Sequence, residues 1–331
     1  MKIAFFSSQP YDEQFFIQHN ATEGHELTFF PAQLNNLTAH LTQGYEAVCV
    51  FVNDVLNEEV IKIVAGHGIK VIALRCAGFN NVDLKAAATA GIKVVRVPAY
   101  SPHAVAEHAV ALLLTLNRKT HKAYNRVRES DFSLNGLMGF DLYKKKVGVI
   151  GTGEIGRAFL NIMLGFGCEV LAYDPFPNKE VEAKGVKYYS LQEVLAQADI
   201  LSLHCPLTES TRYLISEQSL AKMKQGVYII NTGRGALINS KDTIAGLKSG
   251  RIGGLAMDVY EQEDKLFFHD LSGQIIMDDV ISRLLTFPNV IITGHQGFFT
   301  SEALTQIALV TLANLKAFKN GEILKNEVVF K

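Results

Sequence analysis

Val147-Gly148-Val149-Ile150-Gly151-Thr152-Gly153-Glu154-Ile155-Gly156-Arg157 decides how this chain folds. Val147–Gly151 reads as a buried strand, and Glu154–Phe166 has the spacing of a helix. Glu169–Tyr173 reads as a second strand and ends in Asp174, 18 positions beyond Gly156. A glycine-rich turn alone is common. Strand, Gly-x-Gly-x-x-Gly, helix, strand and acid in that order make a dinucleotide-binding βαβ unit. Gly151 allows the tight turn, Gly153 lets the backbone approach a pyrophosphate, and Gly156 lets helix and strand pack closely. The free N–H groups of the first helical turn, around Glu154 and Ile155, favour phosphate. Asp174 can accept hydrogen bonds from ribose hydroxyls. A 2′-phosphate there would meet a like charge, with no cation in Pro175-Phe176-Pro177 to offset it, so the expected cofactor is NAD rather than NADP.

The same alternation runs through the rest of the chain. Before the motif, strands are expected at Lys2–Phe6, Ala47–Val52, Ile69–Leu74 and Ile92–Val97, with helices at Asp12–His19, Glu58–Ala65 and Asp83–Ala90. A helix from His103 to about Thr120 is apolar almost all round, with Ser101 as a possible N-cap before Pro102. Tyr124–Lys146 reads as a polar region ending in Lys144-Lys145-Lys146, a solvated approach to the strand. After the motif, strands are expected at Asp199–His204, Val227–Asn231, Gly253–Asp258 and Val290–Thr293, and Ser301–Phe318 reads as one amphipathic helix. Alternating strands and helices imply α/β architecture with parallel sheets covered on both faces.

The chain has 331 residues, which is more than one core usually serves, so two domains are expected. A formal net charge of −1, without a long Lys/Arg run, argues against nucleic acid as a partner. No apolar run approaches the roughly 18 residues of a membrane span, and the N-terminus does not read as a signal peptide. Cys49, Cys76, Cys168 and Cys205 are scattered without a Cys-x-x-Cys pair. That spacing favours reduced cysteines in a cytoplasmic protein and no metal site.

Three further residues follow strand ends, where residues of a parallel sheet face the ligand crevice. They are Arg234 in Thr232-Gly233-Arg234-Gly235, Glu263 in Asp258–Glu263, and His295 in Gly294–Gly297. Singly, Arg234 reads better as a surface arginine in a glycine turn, Glu263 equally well as a solvated acid, and His295 more often as a structural histidine. Their shared placement favours one site, in which the arginine fork grips a carboxylate.

With these segments, the sequence resembles the D-isomer-specific 2-hydroxyacid dehydrogenases over essentially its whole length. Asp199–Thr208, Asn231–Leu237, Gly254–Glu263 and Gly294–Phe299 carry the resemblance beyond the glycine motif. Arg75–Asp83, Val97–Pro102 and Asp258–Glu261 narrow it toward the fermentative bacterial D-lactate dehydrogenases. Two positions depart from the pattern: Gly233 stands where serine is usual and Gly297 where alanine is usual.

The resemblance implies two doubly wound parallel-sheet domains, Rossmann-like and flavodoxin-like, with a cleft between them. Residues 1–100 with 298–331 would form the substrate domain and 101–297 the NAD domain, hinged near Tyr100 and Phe299. It implies hydride transfer between NADH and pyruvate, giving D-lactate. Arg234 would bind the carboxylate, His295 would protonate the carbonyl oxygen, and Glu263 would hold the imidazole and favour its charged form. Backbone N–H groups of Ala77 and Gly78 would complete the carboxylate site, and Tyr100 and Phe299 would wall the methyl side. Asp258 would meet the nicotinamide amide. Thr232, His204, Cys205 and Pro206 would line the cofactor's path, though a structural role suits His204 equally. A homo-oligomer, dimer or tetramer, is also expected. The alternatives are a dehydrogenase for a larger D-2-hydroxy acid, and an NAD-sensing binding protein on the same scaffold.

Overall fold

The computed structural model describes residues 1–21 and 23–330. Thr22 and Lys331, both within the expected substrate domain, lie outside the described residues. The chain folds as two compact units, Met1–Ser101 with Phe299–Lys331 and Pro102–Phe298.

The first unit carries five parallel strands: β1 (Lys2–Phe5), β2 (Glu26–Phe29), β3 (Ala47–Val50), β4 (Val71–Leu74) and β5 (Lys93–Val95), in the order β2-β1-β3-β4-β5. That is the flavodoxin-like order. Every residue of β3 and β4 is buried, as strands covered on both faces require. Ala4, Phe6, Val48, Val50, Ile72 and Leu74 pack against Val60, Ile61 and Val64 of the helix Glu58–Gly66. Phe5 sits edge-on to Phe16 of the helix Pro10–Asn20, 4.7 Å between ring centroids. The helix Ser301–Lys319 packs on the helix Pro10–Asn20 and on β4. Beyond it the tail closes on β5, where Val328 N–H donates to Val94 O at 2.8 Å.

The second unit carries seven parallel strands: β6 (Lys146–Ile150), β7 (Glu169–Tyr173), β8 (Lys187–Tyr188), β9 (Ile200–Leu203), β10 (Val227–Asn231), β11 (Ile252–Met257) and β12 (Val290–Ile292), in the order β12-β11-β10-β9-β6-β7-β8. Chain direction across the sheet reverses between β6 and β9, the topological switch point where such sheets take ligands. Strand faces are covered by two apolar clusters, one around Phe159, Leu113 and Met163, the other around Leu201, Ile229 and Leu255. Burying each such side chain contributes about 1.5–3 kcal/mol.

Four elements differ from the sequence reading. The long apolar helix spans Pro102–Arg118 rather than reaching Thr120. Lys119 adopts φ 51°, and its ammonium donates to Gly136 O and Met138 O, so the axis breaks there. A second helix, Thr120–Arg128, occupies the start of the stretch read as polar and irregular, and none of its residues is buried. Two edge strands, β2 and β8, were not expected.

Candidate active site

The glycine turn lies at the switch point. Gly151 has φ 93°, and a Cβ there would lie 2.6 Å from Cys205 N. A Cβ on Gly156 would lie 2.0 Å from Gly151 O, so glycine is required for the turn to meet its own helix. Gly153 is different. Its φ of −62° suits any residue, and its missing Cβ would face open space within 4 Å. Neither backbone nor packing therefore demands glycine at Gly153, and the open space beside it leaves room for a ligand at the main chain. No side chain caps the helix Glu154–Gly165 that follows, leaving first-turn donors for an anion. Thr232 Oγ1, just past β10, is buried without a partner among the described residues. These features fit a dinucleotide.

Asp174 is fastened to that turn. One carboxylate oxygen accepts from Thr152 N at 2.7 Å and Thr152 Oγ1 at 3.2 Å, and the other from Phe176 N at 2.9 Å. Tyr188 of β8 contributes a hydroxyl 2.8 Å from Thr152 Oγ1. His204 is satisfied within the fold: Nε2 lies 2.9 Å from Ser202 Oγ and the ring packs on Phe159. Burial pulls its pKa down to about 4, so the ring is neutral at physiological pH. Burial pushes the Cys205 thiol up to about 11. Pro206 is exposed beside them, its carbonyl accepting from Thr211 Oγ1.

Arg234, Glu263 and His295 all belong to the second unit, on the loops after β10, β11 and β12. Asn231 shapes the first loop, accepting from Gly233 N at 3.0 Å and donating to Arg234 O at 2.9 Å. Gly235 lets this loop press on the next, since a Cβ there would lie 2.1 Å from the Tyr260 carbonyl carbon. Arg234 Nη1 donates to Gly233 O at 2.8 Å. Glu263 is held by Tyr260 N–H at 2.8 Å on one oxygen, and its other oxygen lies 2.8 Å from His295 Nδ1. Both side chains are about one-fifth exposed. His295 Nε2 has no hydrogen-bond partner among the described residues. The ring is thus oriented at one nitrogen and available at the other.

His295 adopts φ 55°, an uncommon conformation for a side-chain-bearing residue. Asp258 fixes it: His295 N–H donates to Asp258 O at 2.8 Å. The Asp258 carboxylate accepts from Gln296 N at 2.9 Å, Gly297 N at 2.7 Å and Thr293 Oγ1 at 2.5 Å, with His108 Nε2 at 3.3 Å. Burial works to raise its pKa, but the bonds from His108, Thr293 and Gln296 outweigh burial and hold it below the usual carboxylate value. Asp258 is only 1% exposed, and both its oxygens are occupied. Its surroundings are those of a residue that builds the histidine turn. Reading the sequence missed His108 and Thr293. A lone histidine in an apolar helix carries no signal of a partner on a distant loop.

The other predicted residues lie in the first unit. Ala77 and Gly78 follow β4, and their N–H groups have no partner among the described residues. Ala77 O accepts from Arg96 Nη1 at 2.8 Å, and Gly78 O accepts from Cys76 Sγ at 3.3 Å. Tyr100 is partly buried and Phe299 half exposed. Of the two departures, Gly233 has room for a serine, its nearest neighbour to a Cβ being 3.4 Å away. At Gly297 a Cβ would lie 3.0 Å from Asp258 Oδ2, so an alanine would push on that carboxylate.

Comparison with known proteins agrees with this geometry. Residues 110–297 match the family model described as the D-isomer specific 2-hydroxyacid dehydrogenase NAD binding domain. A 2-hydroxyacid dehydrogenase homolog of Schizosaccharomyces pombe is 55% identical over 319 residues, 96% of each chain. The apo-structure of D-lactate dehydrogenase from Escherichia coli superposes with a TM-score of 0.92 at 50% identity, covering 99% of this chain and 100% of that one. The NAD-complexed D-isomer specific 2-hydroxyacid dehydrogenase from Lactobacillus delbrueckii ssp. bulgaricus has a TM-score of 0.82 at 31% identity, covering 99% and 100%. With a switch-point glycine turn built for NAD and likeness along nearly its full length, the chain belongs to the D-isomer-specific 2-hydroxyacid dehydrogenases.

Proposed function

We propose that this chain reduces pyruvate to D-lactate with NADH, and runs the reverse reaction when D-lactate and NAD are in excess. The supporting observation is the His295–Glu263 pair, 2.8 Å apart, with Nε2 left available. Half-identity with a D-lactate dehydrogenase supports pyruvate as the acid. NADH, when bound, supplies the hydride that reaches the keto carbon. Gly151–Gly156 and Asp174 hold the cofactor, with Thr232 and the His204–Pro206 loop beside it. His295 Nε2–H gives its proton to the carbonyl oxygen as that oxygen becomes an alkoxide, and Glu263 orients the ring through Nδ1. Arg234 pairs with the carboxylate and polarises the keto group. On the family resemblance, we also assign the Ala77 and Gly78 N–H groups to the carboxylate, and Tyr100 and Phe299 to the methyl side. Asp258 keeps the histidine turn in place.

The direct test is NADH absorbance with pyruvate, 2-oxobutyrate, 2-oxoisocaproate and phosphohydroxypyruvate. Pyruvate should give the highest kcat/KM. A chain that binds NADH but turns over none of the four is not this enzyme. We also take the chain to be a cytoplasmic homo-oligomer. Tyr124, Phe132, Leu134, Met138 and Tyr143 are all exposed within one segment, an apolar surface suited to a second copy. Light scattering of the purified chain reads its mass. Among the described residues, no helix is long and apolar enough to cross a membrane.

Two consequences concern the cofactor and the proton. Asp174→Ala removes both the ribose acceptor and the bond that holds Thr152, so NADH should bind several-fold more weakly. The repulsion of a 2′-phosphate goes as well, so the preference for NADH over NADPH should narrow. Equal preference before and after would remove Asp174 from cofactor choice. Glu263→Gln keeps the shape but removes the carboxylate that lies 2.8 Å from His295 Nδ1 and orients the ring. The kcat for pyruvate reduction should therefore fall about tenfold or more while NADH binding stays as in the parent. An unchanged kcat would break the pairing.

A further inference from the structure

We propose that Tyr11 limits the size of the 2-oxo acid this chain accepts, by fixing the ring of Phe299; the proposal rests on the reading of Phe299 given above. Phe299 is 50% exposed. Tyr11 meets it edge-on, with centroids 4.7 Å apart and planes at 76°. This edge-to-face geometry is a favoured aromatic arrangement, so the exposed ring is held in one orientation.

Tyr11 is itself held. Pro10 opens the helix Pro10–Asn20, and Gln9 N–H donates to Asp12 Oδ2 at 3.1 Å to close its first turn. Asp12 lies 3.4 Å from the guanidinium of Arg75, which is 2% exposed. Arg75 donates to Phe6 O at 3.0 Å and Ser7 O at 2.7 Å, and packs its guanidinium over the rings of Phe5 and Phe51. A buried guanidinium with this many fixed partners does not drift. Arg75 also directly precedes Cys76-Ala77-Gly78, the segment assigned to the substrate carboxylate. One anchored turn, Phe6–Asp12, therefore ties the carboxylate end of the substrate to the ring that bounds its other end. Burial, then Asp12, raise the Tyr11 hydroxyl to about 12 against the opposing pull of Arg75, so the ring is uncharged at working pH.

If Tyr11 helps to set the Phe299 ring, removing it weakens the hold on that ring, which then yields more readily before a longer side chain. The experiment measures kcat/KM for pyruvate and 2-oxoisocaproate at saturating NADH in the parent, Tyr11→Phe, Tyr11→Leu and Tyr11→Ala. Tyr11→Ala should raise the 2-oxoisocaproate-to-pyruvate ratio about tenfold, the scale at which a pocket distinguishes a methylene or two. The change should sit mainly in KM. Tyr11→Phe keeps the edge contact and should stay within about twofold of the parent ratio. Adding Tyr11→Ala to Phe299→Ala should move the ratio no further, because the two act as one unit. An unmoved ratio in Tyr11→Ala, or in Tyr11→Leu if the alanine variant does not fold, overturns the inference. So does an undiminished shift in the Phe299→Ala background. A parent that reduces neither acid overturns the proposed reaction and this inference with it; an active parent with an unmoved ratio overturns this inference alone.

Discussion

His295→Asn should cut kcat for pyruvate reduction by roughly 10²–10⁴, the range that a positioned general acid contributes. The substitution separates chemistry from folding because of an unusual backbone angle. His295 sits at φ 55°, and asparagine is among the residues that adopt this region most readily. The variant therefore keeps the turn and loses only the ring. Asp258 supports the turn through main-chain donors: the N–H groups of His295, Gln296 and Gly297 all reach Asp258, and none depends on the imidazole. Thermal unfolding should be unchanged or slightly higher, and NADH titration by fluorescence should match the parent. Near-parent turnover in His295→Asn would show that the proton comes from elsewhere. A collapse in stability would show that the ring holds the loop.

Much of this site was legible because glycine positions and strand ends are local properties. The Gly151–Gly156 turn, Asp174 at the end of β7, and Arg234, Glu263 and His295 past β10, β11 and β12 could be placed from short segments alone. The same holds for most strands, since a parallel strand buried on both faces reads as a continuous apolar run. Elements that bury little were lost. Glu26–Phe29 is an edge strand with no fully buried residue, and Lys187–Tyr188 has only two residues. The helix Thr120–Arg128 buries none of its residues, and Ala123, Tyr124 and Val127 are its only apolar side chains, too few to stand out from a polar stretch.

Long-range polar partnerships were lost for a different reason. His108 reaches Thr293 at 3.1 Å across 185 positions, and Asp12 reaches Arg75 across 63. Nothing in either segment marks the other as its partner. Asp258 is a further case: the resemblance alone gave it a role, and its bonds to His108, Thr293, Gln296 and Gly297 could not be read from its own segment. The histidine turn and the inner helix are thereby joined within one unit, which places His295 on rigid scaffold rather than on a free loop.

Arg234 provides the second large effect. Pyruvate presents a planar carboxylate next to a keto oxygen. A guanidinium fork offers parallel donors to that arrangement, whereas an ammonium is a point charge. The loop is prepared for it: Asn231 fixes both Gly233 N–H and Arg234 O, and Gly235 admits the close approach of Tyr260. Arg234→Lys should impair pyruvate reduction although it keeps the charge, and Arg234→Gln should impair it more. Losing a charge-assisted contact to substrate costs on the order of 2–5 kcal/mol. By transition-state arithmetic, that is a loss of roughly 30-fold or more in kcat/KM. NADH binding should persist, because the glycine turn and Asp174 are on β6 and β7, away from the β10 loop. Guanidinium ion added to Arg234→Gln should restore part of the rate if the lost group acts on substrate directly. Near-parent pyruvate kinetics in Arg234→Gln would refute the role. Parallel loss of NADH binding would show instead that the loop between β10 and the turn Gly235–Leu237 supports the cofactor site, making Arg234 a residue of the fold rather than of the chemistry.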